Sequence, residues 1–182
     1  MVRFHWAFLI GPKTEKGVNV PGVRFHVKNT PTNGWVYEEK SVGDVRSTNT
    51  LLARIIIAKV EDEKRLINLL QNLPIVNGDP NWRYRSWVAQ ALTEIARDGK
   101  CVGTSELDWR KIEAFAREYV ANKTAAGRYG HAEDMLKPKP TYDLLERKEV
   151  VLELRYLIRC IVNVLNIASE LSPLSIARSF YF

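Results

Sequence analysis

The sequence predicts an α+β domain, with a small antiparallel sheet from the N-terminal third and a helical C-terminal part. Two observations carry that reading. Up to residue 60 the apolar residues alternate with polar ones or form short runs bounded by Gly and Pro, as strands require. Beyond residue 61 the apolar residues recur at three- and four-residue intervals, as amphipathic helices require. Strands in one block and helices in another argue against the alternating order of a parallel α/β sheet.

The elements follow in chain order. Arg3 to Ile10 is an aromatic and aliphatic strand stopped by Gly11-Pro12. Its alternation puts His5, Ala7 and Leu9 on one face and Phe4, Trp6, Phe8 and Ile10 on the other. Val23 to Lys28 alternates cleanly as a second strand, with His26 between Arg24 and Lys28. Thr30 to Gly34 is a turn, and Trp35 to Glu39 a third strand. Leu51 to Val60 is apolar on both faces around Ile55-Ile56-Ile57, which predicts a central strand covered on two sides. A first helix starts near Glu61 and ends at Pro74. Asp79 and Pro80 read as N-cap and first residue of a second helix that runs to about Asp98, with Gly99 as its stop. Tyr84, Val88, Ala91, Leu92 and Ile95 form its apolar stripe. A third helix is expected from Ser105, with Ser105 and Asp108 as a near capping box. Residues 123–141 read as irregular and residues 150–169 as a last helix. The expected organisation is one domain over 1–182: sheet 1–60, helices 61–170, tail 171–182.

Composition narrows the function classes. The 182 residues are 46% hydrophobic and 26% charged, ordinary for a globular protein. The net charge of +6 is scattered in mixed-sign segments, which gives neither a nucleic-acid motif nor a basic platform. Two cysteines, Cys101 and Cys160, are too few for a disulfide scaffold and read as packed thiols of a reduced, cytoplasmic protein. The start of the chain lacks the pattern of a secretory signal. Charges interrupt Val150 to Ser169, so no membrane span is expected. No metal-ligand spacing and no phosphate loop is present, and the reading implies no cofactor. Oligomeric state is not encoded in any recognisable pattern.

Two short stretches carry a resemblance. His5-Trp6-Ala7-Phe8-Leu9-Ile10-Gly11, with His26 one strand later, is similar to the N-terminal strand pair of lecithin retinol acyltransferase-like thiol enzymes, of the permuted papain-like (NlpC-type) group. Tyr84-Arg85-Ser86-Trp87-Val88 resembles the segment that holds the family's nucleophilic cysteine, with tyrosine in its place. The span 3–98 also resembles an uncharacterised fungal protein family in which cysteine often stands at the position of Tyr84. The resemblance covers about half the chain. It implies His5 as general base and His26 as the residue that orients it.

The departure at Tyr84 decides what chemistry is expected. A phenol with an ordinary pKa near 10 is a poor acyl acceptor at neutral pH, so Cys-dependent acyl transfer or peptidase activity is not expected. Cys101 lies roughly 25 Å along the same helix and is no substitute. Two functions remain. One is a cofactor-independent acid–base enzyme, an isomerase, cyclase or hydrolase. It would act on a small, largely apolar molecule, with His5 as base, Tyr84 as proton donor, His26 orienting, and Trp6, Trp35, Trp82 and Trp87 lining the pocket. The other is a non-catalytic binding or scaffold protein that kept the fold, with Tyr84 packed and the tryptophans in the core.

Overall fold

The computed structural model describes residues 4–12, 15, 19–46, 50–150 and 158–166, with side chains of the last stretch described for 160–162. Within these residues the protein is a mixed α and β structure with one eight-stranded sheet and three α-helices. The strands are β1 (Phe4–Pro12), β2 (Gly22–Thr30), β3 (Gly34–Val42), β4 (Leu51–Val60), β5 (Val102–Ser105), β6 (Thr141–Asp143), β7 (Lys148–Glu149) and β8 (Ile158–Asn166). The helices are α1 (Glu63–Gln71), α2 (Tyr84–Asp98) and α3 (Trp109–Ala125). The sheet runs β3-β2-β1-β8-β4-β6-β7, and β5 pairs with β4.

The N-terminal strands form where their patterns place them. Trp6, Phe8 and Ile10 enter the main core together with Phe25 and Val27 of β2, whereas Ala7 and Leu9 belong to separate, smaller clusters. That division is the period-two alternation made physical. β4 is central, and its two sets of side chains divide between clusters: Ile55 and Ile57 join the main core, and Ile56 joins the smaller one with Leu9, Val20, Val45 and Ile161.

The expected last helix is a strand instead. β8 pairs antiparallel with β1 along its full length and with β4 on its other side. Ile158, Ile161 and Leu165 imitate a helical stripe because a strand covered on both faces carries apolar residues on both, and at three- and four-residue spacing these read like a helix face. The adjacent residues Ile161 and Val162 are both buried but sit in different clusters, as opposite faces of a strand require. The rest of that expected helix, 151–157 and 167–169, and residues 170–182 lie outside the described residues. β5 to β8 also mean that the sheet is not confined to residues 1–60.

Helix starts shift for a physical reason. α1 begins after Asp62, whose carboxylate accepts from Arg65 N. Asp79 does not cap α2. Its side chain accepts from Asn81 N at 2.8 Å and its carbonyl from Trp82 N at 3.1 Å, closing a turn ahead of the helix. α2 starts at Tyr84, after an extended Arg83, and ends at Gly99 with φ 62°. Asp108, not Ser105, caps α3, accepting from Arg110 N at 2.9 Å, because Ser105 is already committed to β5. Trp87, Val88, Ala91, Leu92 and Ile95 bury the inner face of α2.

Ile161→Ala and Val162→Ala should each destabilise the protein, the first by about 2–5 kcal/mol, since both faces of β8 are covered. Urea denaturation of the two variants checks this. A tolerated change at either position would mean that one of those faces is open.

Candidate active site

Three neighbouring strands supply a line of titratable side chains. His26 Nδ1 lies 2.9 Å from His5 Nε2, and His26 Nε2 lies 2.8 Å from Glu38 Oε2. Lys28 Nζ donates to the other carboxylate oxygen of Glu38. His5 is fully buried and His26 is 2% exposed, whereas Glu38 is partly exposed. The two histidines expected on neighbouring strands are in hydrogen-bond contact. Although it stands between Arg24 and Lys28 in the sequence, His26 is buried.

Glu38 is not among the site residues expected from the sequence, although the pattern offers a signal for it. The β2–β3 hairpin pairs Thr30 with Gly34, and equal steps outward from that turn set His26 opposite Glu38. Alternation then puts Glu38 and Glu39 on opposite faces, and Glu39 accepts from Tyr37 Oη at 2.9 Å and from Gln71 Nε2 at 2.6 Å.

Electrostatics fix the proton positions along the line. The Lys28 ammonium, and then the His26 hydrogen bond, hold the Glu38 carboxyl down at about 2 against the opposing effect of burial. Burial first, then the Arg24 and His5 charges, push His26 down to about 4, with Glu38 resisting. At neutral pH His26 is therefore uncharged and Glu38 ionised. A carboxylate only accepts, so His26 Nε2–H donates to Glu38 and His26 Nδ1 accepts from His5 Nε2–H. That tautomer places the basic lone pair of neutral His5 on Nδ1.

Tyr84, the first residue of α2, lies against His5 with ring centroids 4.1 Å apart and planes inclined by 37°. Trp35 meets Tyr84 edge-on at 5.0 Å, and Trp82 meets Trp35 at 5.4 Å. The loop ahead of α2 is tied to β3 through Asn77, whose Oδ1 accepts from Trp35 N at 2.7 Å and whose Nδ2 donates to Trp35 O at 3.3 Å. Gly34 makes room for this. It adopts φ 64°, and a Cβ there would stand 2.5 Å from Asn77 Oδ1.

Two of the four expected pocket tryptophans go elsewhere. Trp6 packs edge-on against Trp109 at 5.1 Å, and Trp87 against Phe8 at 5.7 Å; both are fully buried in the main core. Trp6 belongs to the alternate face from His5, and Trp87 is on the inner side of α2. Trp35 is the one of the four that meets the Tyr84 ring, and Trp82 packs behind it on Trp35.

Neither thiol is placed to act. Both are buried, and burial, aided by Asp98, raises Cys101 to about 11, while burial raises Cys160 to about 12. Among the described residues no group of three or more His, Cys, Asp or Glu could hold a metal ion, and no helix is long and apolar enough to cross a membrane.

Comparison with known proteins gives a family and no function. The model of a family of unknown function, DUF6914, matches residues 2–151. No curated protein and no solved structure matches the chain.

The depressed His26 pKa has a sign that can be tested. The folded value, about 4, lies below the unfolded 6.5, so the unfolded chain binds more protons between those limits. His26 therefore contributes stability above pH 6.5 that is lost as the pH falls through 4, on the order of 3 kcal/mol. Glu38, also depressed, acts in the same direction between 4.5 and 2. Denaturant unfolding from pH 7 to 4 should show this slope in the wild-type protein and a flatter one in His26→Asn.

Proposed function

The chain belongs to the DUF6914 family, and for this member we propose cofactor-independent acid–base catalysis on a small, largely apolar molecule. The observation that carries the reading is the unbroken line from Glu38 through His26 to His5, ending under the Tyr84 ring. A carboxylate–imidazole–imidazole series with both imidazoles buried is what a general base needs: one group to accept the proton and others to hold its tautomer and offset the charge it gains. His5 is the base through Nδ1, His26 the positioning residue, Glu38 the anionic end. Tyr84, partly exposed at the helix start, is the donor that faces the substrate, with Trp35 and Trp82 as the apolar wall. Isomerisation, cyclisation and hydrolysis all fit such a pair.

The same geometry supports reading the fold as permuted papain-like. A histidine strand, a neighbouring strand with the orienting residue and a helix start in contact with the first histidine are the parts that such thiol enzymes combine. Here the thiol position holds Tyr84. One observation favours the second function, a non-catalytic binding or scaffold protein: His5 has no exposed surface, and the Tyr84 ring covers it.

Solvent-deuterium exchange into a panel of small apolar ketones and esters separates the two. The enzyme reading expects exchange or turnover that falls by about 10²-fold or more in His5→Ala and drops in Tyr84→Phe. Rates identical in wild type and His5→Ala would leave only the scaffold reading.

The inherited geometry has its own test. In Tyr84→Cys the new thiol would sit at a helix N-terminus beside His5, and both features favour the thiolate. Its alkylation should proceed readily near pH 6 and revert, in Tyr84→Cys with His5→Ala, to an ordinary midpoint near about 8.5. Cys101 and Cys160 are buried and should not label. The same midpoint in both variants would remove His5 as the base at this position.

A further inference from the structure

A cavity of about 350 Å³ lies apart from the His5 site and shares no residue with it. Five cationic side chains line it, Arg46, Arg54, Lys123, Arg128 and Lys139, against two acidic ones, Glu15 and Glu149. The charges do not cancel. Arg54 is held by Glu15, with Nη2 2.8 Å from Oε2; Arg46 by Asp44, at 2.7 Å; and Lys123 by Glu149, at 2.5 Å. Lys139 and Arg128 have no carboxylate of this kind among the described residues. Arg128 donates to the carbonyls of Asp134, at 2.6 Å, and Pro138, at 2.9 Å. Lys139 is 3% exposed, and its Nζ donates to the carbonyl of Met135.

Two cations are therefore set near one another at a cavity wall and held by neutral carbonyls. A buried ammonium is costly, and carbonyl dipoles and the Asp134 charge, itself paired with Lys137, offset only part of that cost. Lys139 records the strain: burial first, then the Arg128 charge, lower it to about 8 against the opposing Asp134 charge. The wall is also fixed in place. Lys139 N donates to Arg46 O at 2.8 Å, Thr141 Oγ1 donates to Lys139 O at 3.1 Å, and Arg54 Nε donates to Thr141 Oγ1 at 2.9 Å. Two cations that form no ion pair among the described residues suit a dianion, and an arginine beside a lysine suits a phosphate, which accepts from a planar fork and a point donor together. A volume of this size takes more than bare phosphate.

We propose that this cavity binds small phosphate monoesters, with Lys139 and Arg128 as the phosphate anchor. The ligand's organic part fills the remainder of the cavity toward Pro140 and Val150. This site is independent of the acid–base reading, and neither depends on the other.

Calorimetric titration of the full chain, at ionic strength held constant with NaCl, tests the assignment with three probes: inorganic phosphate, ribose 5-phosphate and succinate. Saturable binding of phosphate is expected, with tighter binding of ribose 5-phosphate and weaker binding of succinate. Lys139→Met and Arg128→Gln should each weaken phosphate binding at least tenfold. Arg97→Gln, which removes an equal charge outside the cavity, should leave it unchanged. Where Lys139→Met does not fold, Arg128→Gln decides, since that side chain is only partly buried. No saturable phosphate binding, equal binding in Arg128→Gln, exclusion of ribose 5-phosphate, or succinate binding as tight as phosphate would each overturn the assignment.

Discussion

The sheet depends on β8. It lies between β1 and β4, hydrogen-bonded to both, and so joins the block β3-β2-β1 to the block β4-β6-β7. Without it β1 and β4, the two most apolar strands, would present open edges to each other across a gap. The pairing of Phe4 with Asn166 joins the two ends of the described chain, and nonlocal pairing is slow because loop closure precedes its reward. It also shapes the site. The β1–β2 ladder covers Phe8–Ile10 with Val23–Phe25, and the part of β1 that carries His5 pairs with β8. His5 therefore meets His26 through side chains rather than through a shared ladder.

The His5 line is held from its exposed end. Lys28 keeps Glu38 ionised, Glu38 fixes the His26 tautomer, and His26 fixes that of His5. Each member accepts or donates in one sense only, so the direction of the whole series is set by a single carboxylate at the hairpin. This arrangement explains how two histidines can be buried together. At neutral pH Glu38 carries its charge where water reaches it, and His26 behind it stays uncharged.

Much of this was legible in the residues, and the rest was not for identifiable reasons. β1 to β4 and the His5–His26 pairing follow from alternation and one resemblance. Glu38 could have been read from the hairpin, because the turn at Thr30–Gly34 fixes every pair beyond it. β8 was misread as a helix since a strand covered on both faces loses its period of two, leaving Val and Ile enrichment as the remaining cue. Asp79-Pro80 is a sound helix start by composition, yet Asp79 closes a local turn and the helix waits for Tyr84. The cationic cavity draws on Glu15, Arg46, Arg54, Lys123 and residues near 139, which no local pattern brings together.

Asn77 has a consequence beyond the placement of α2. β3 is the last strand on its side of the sheet, where unpaired N–H and C=O groups can recruit a strand from another molecule. At Trp35 the Asn77 amide occupies both groups at once and stands in for one residue of a neighbouring strand. The side chain acts as a stopper at the most aromatic point of an exposed edge. It helps keep copies of the protein from adding to one another edge to edge at high concentration.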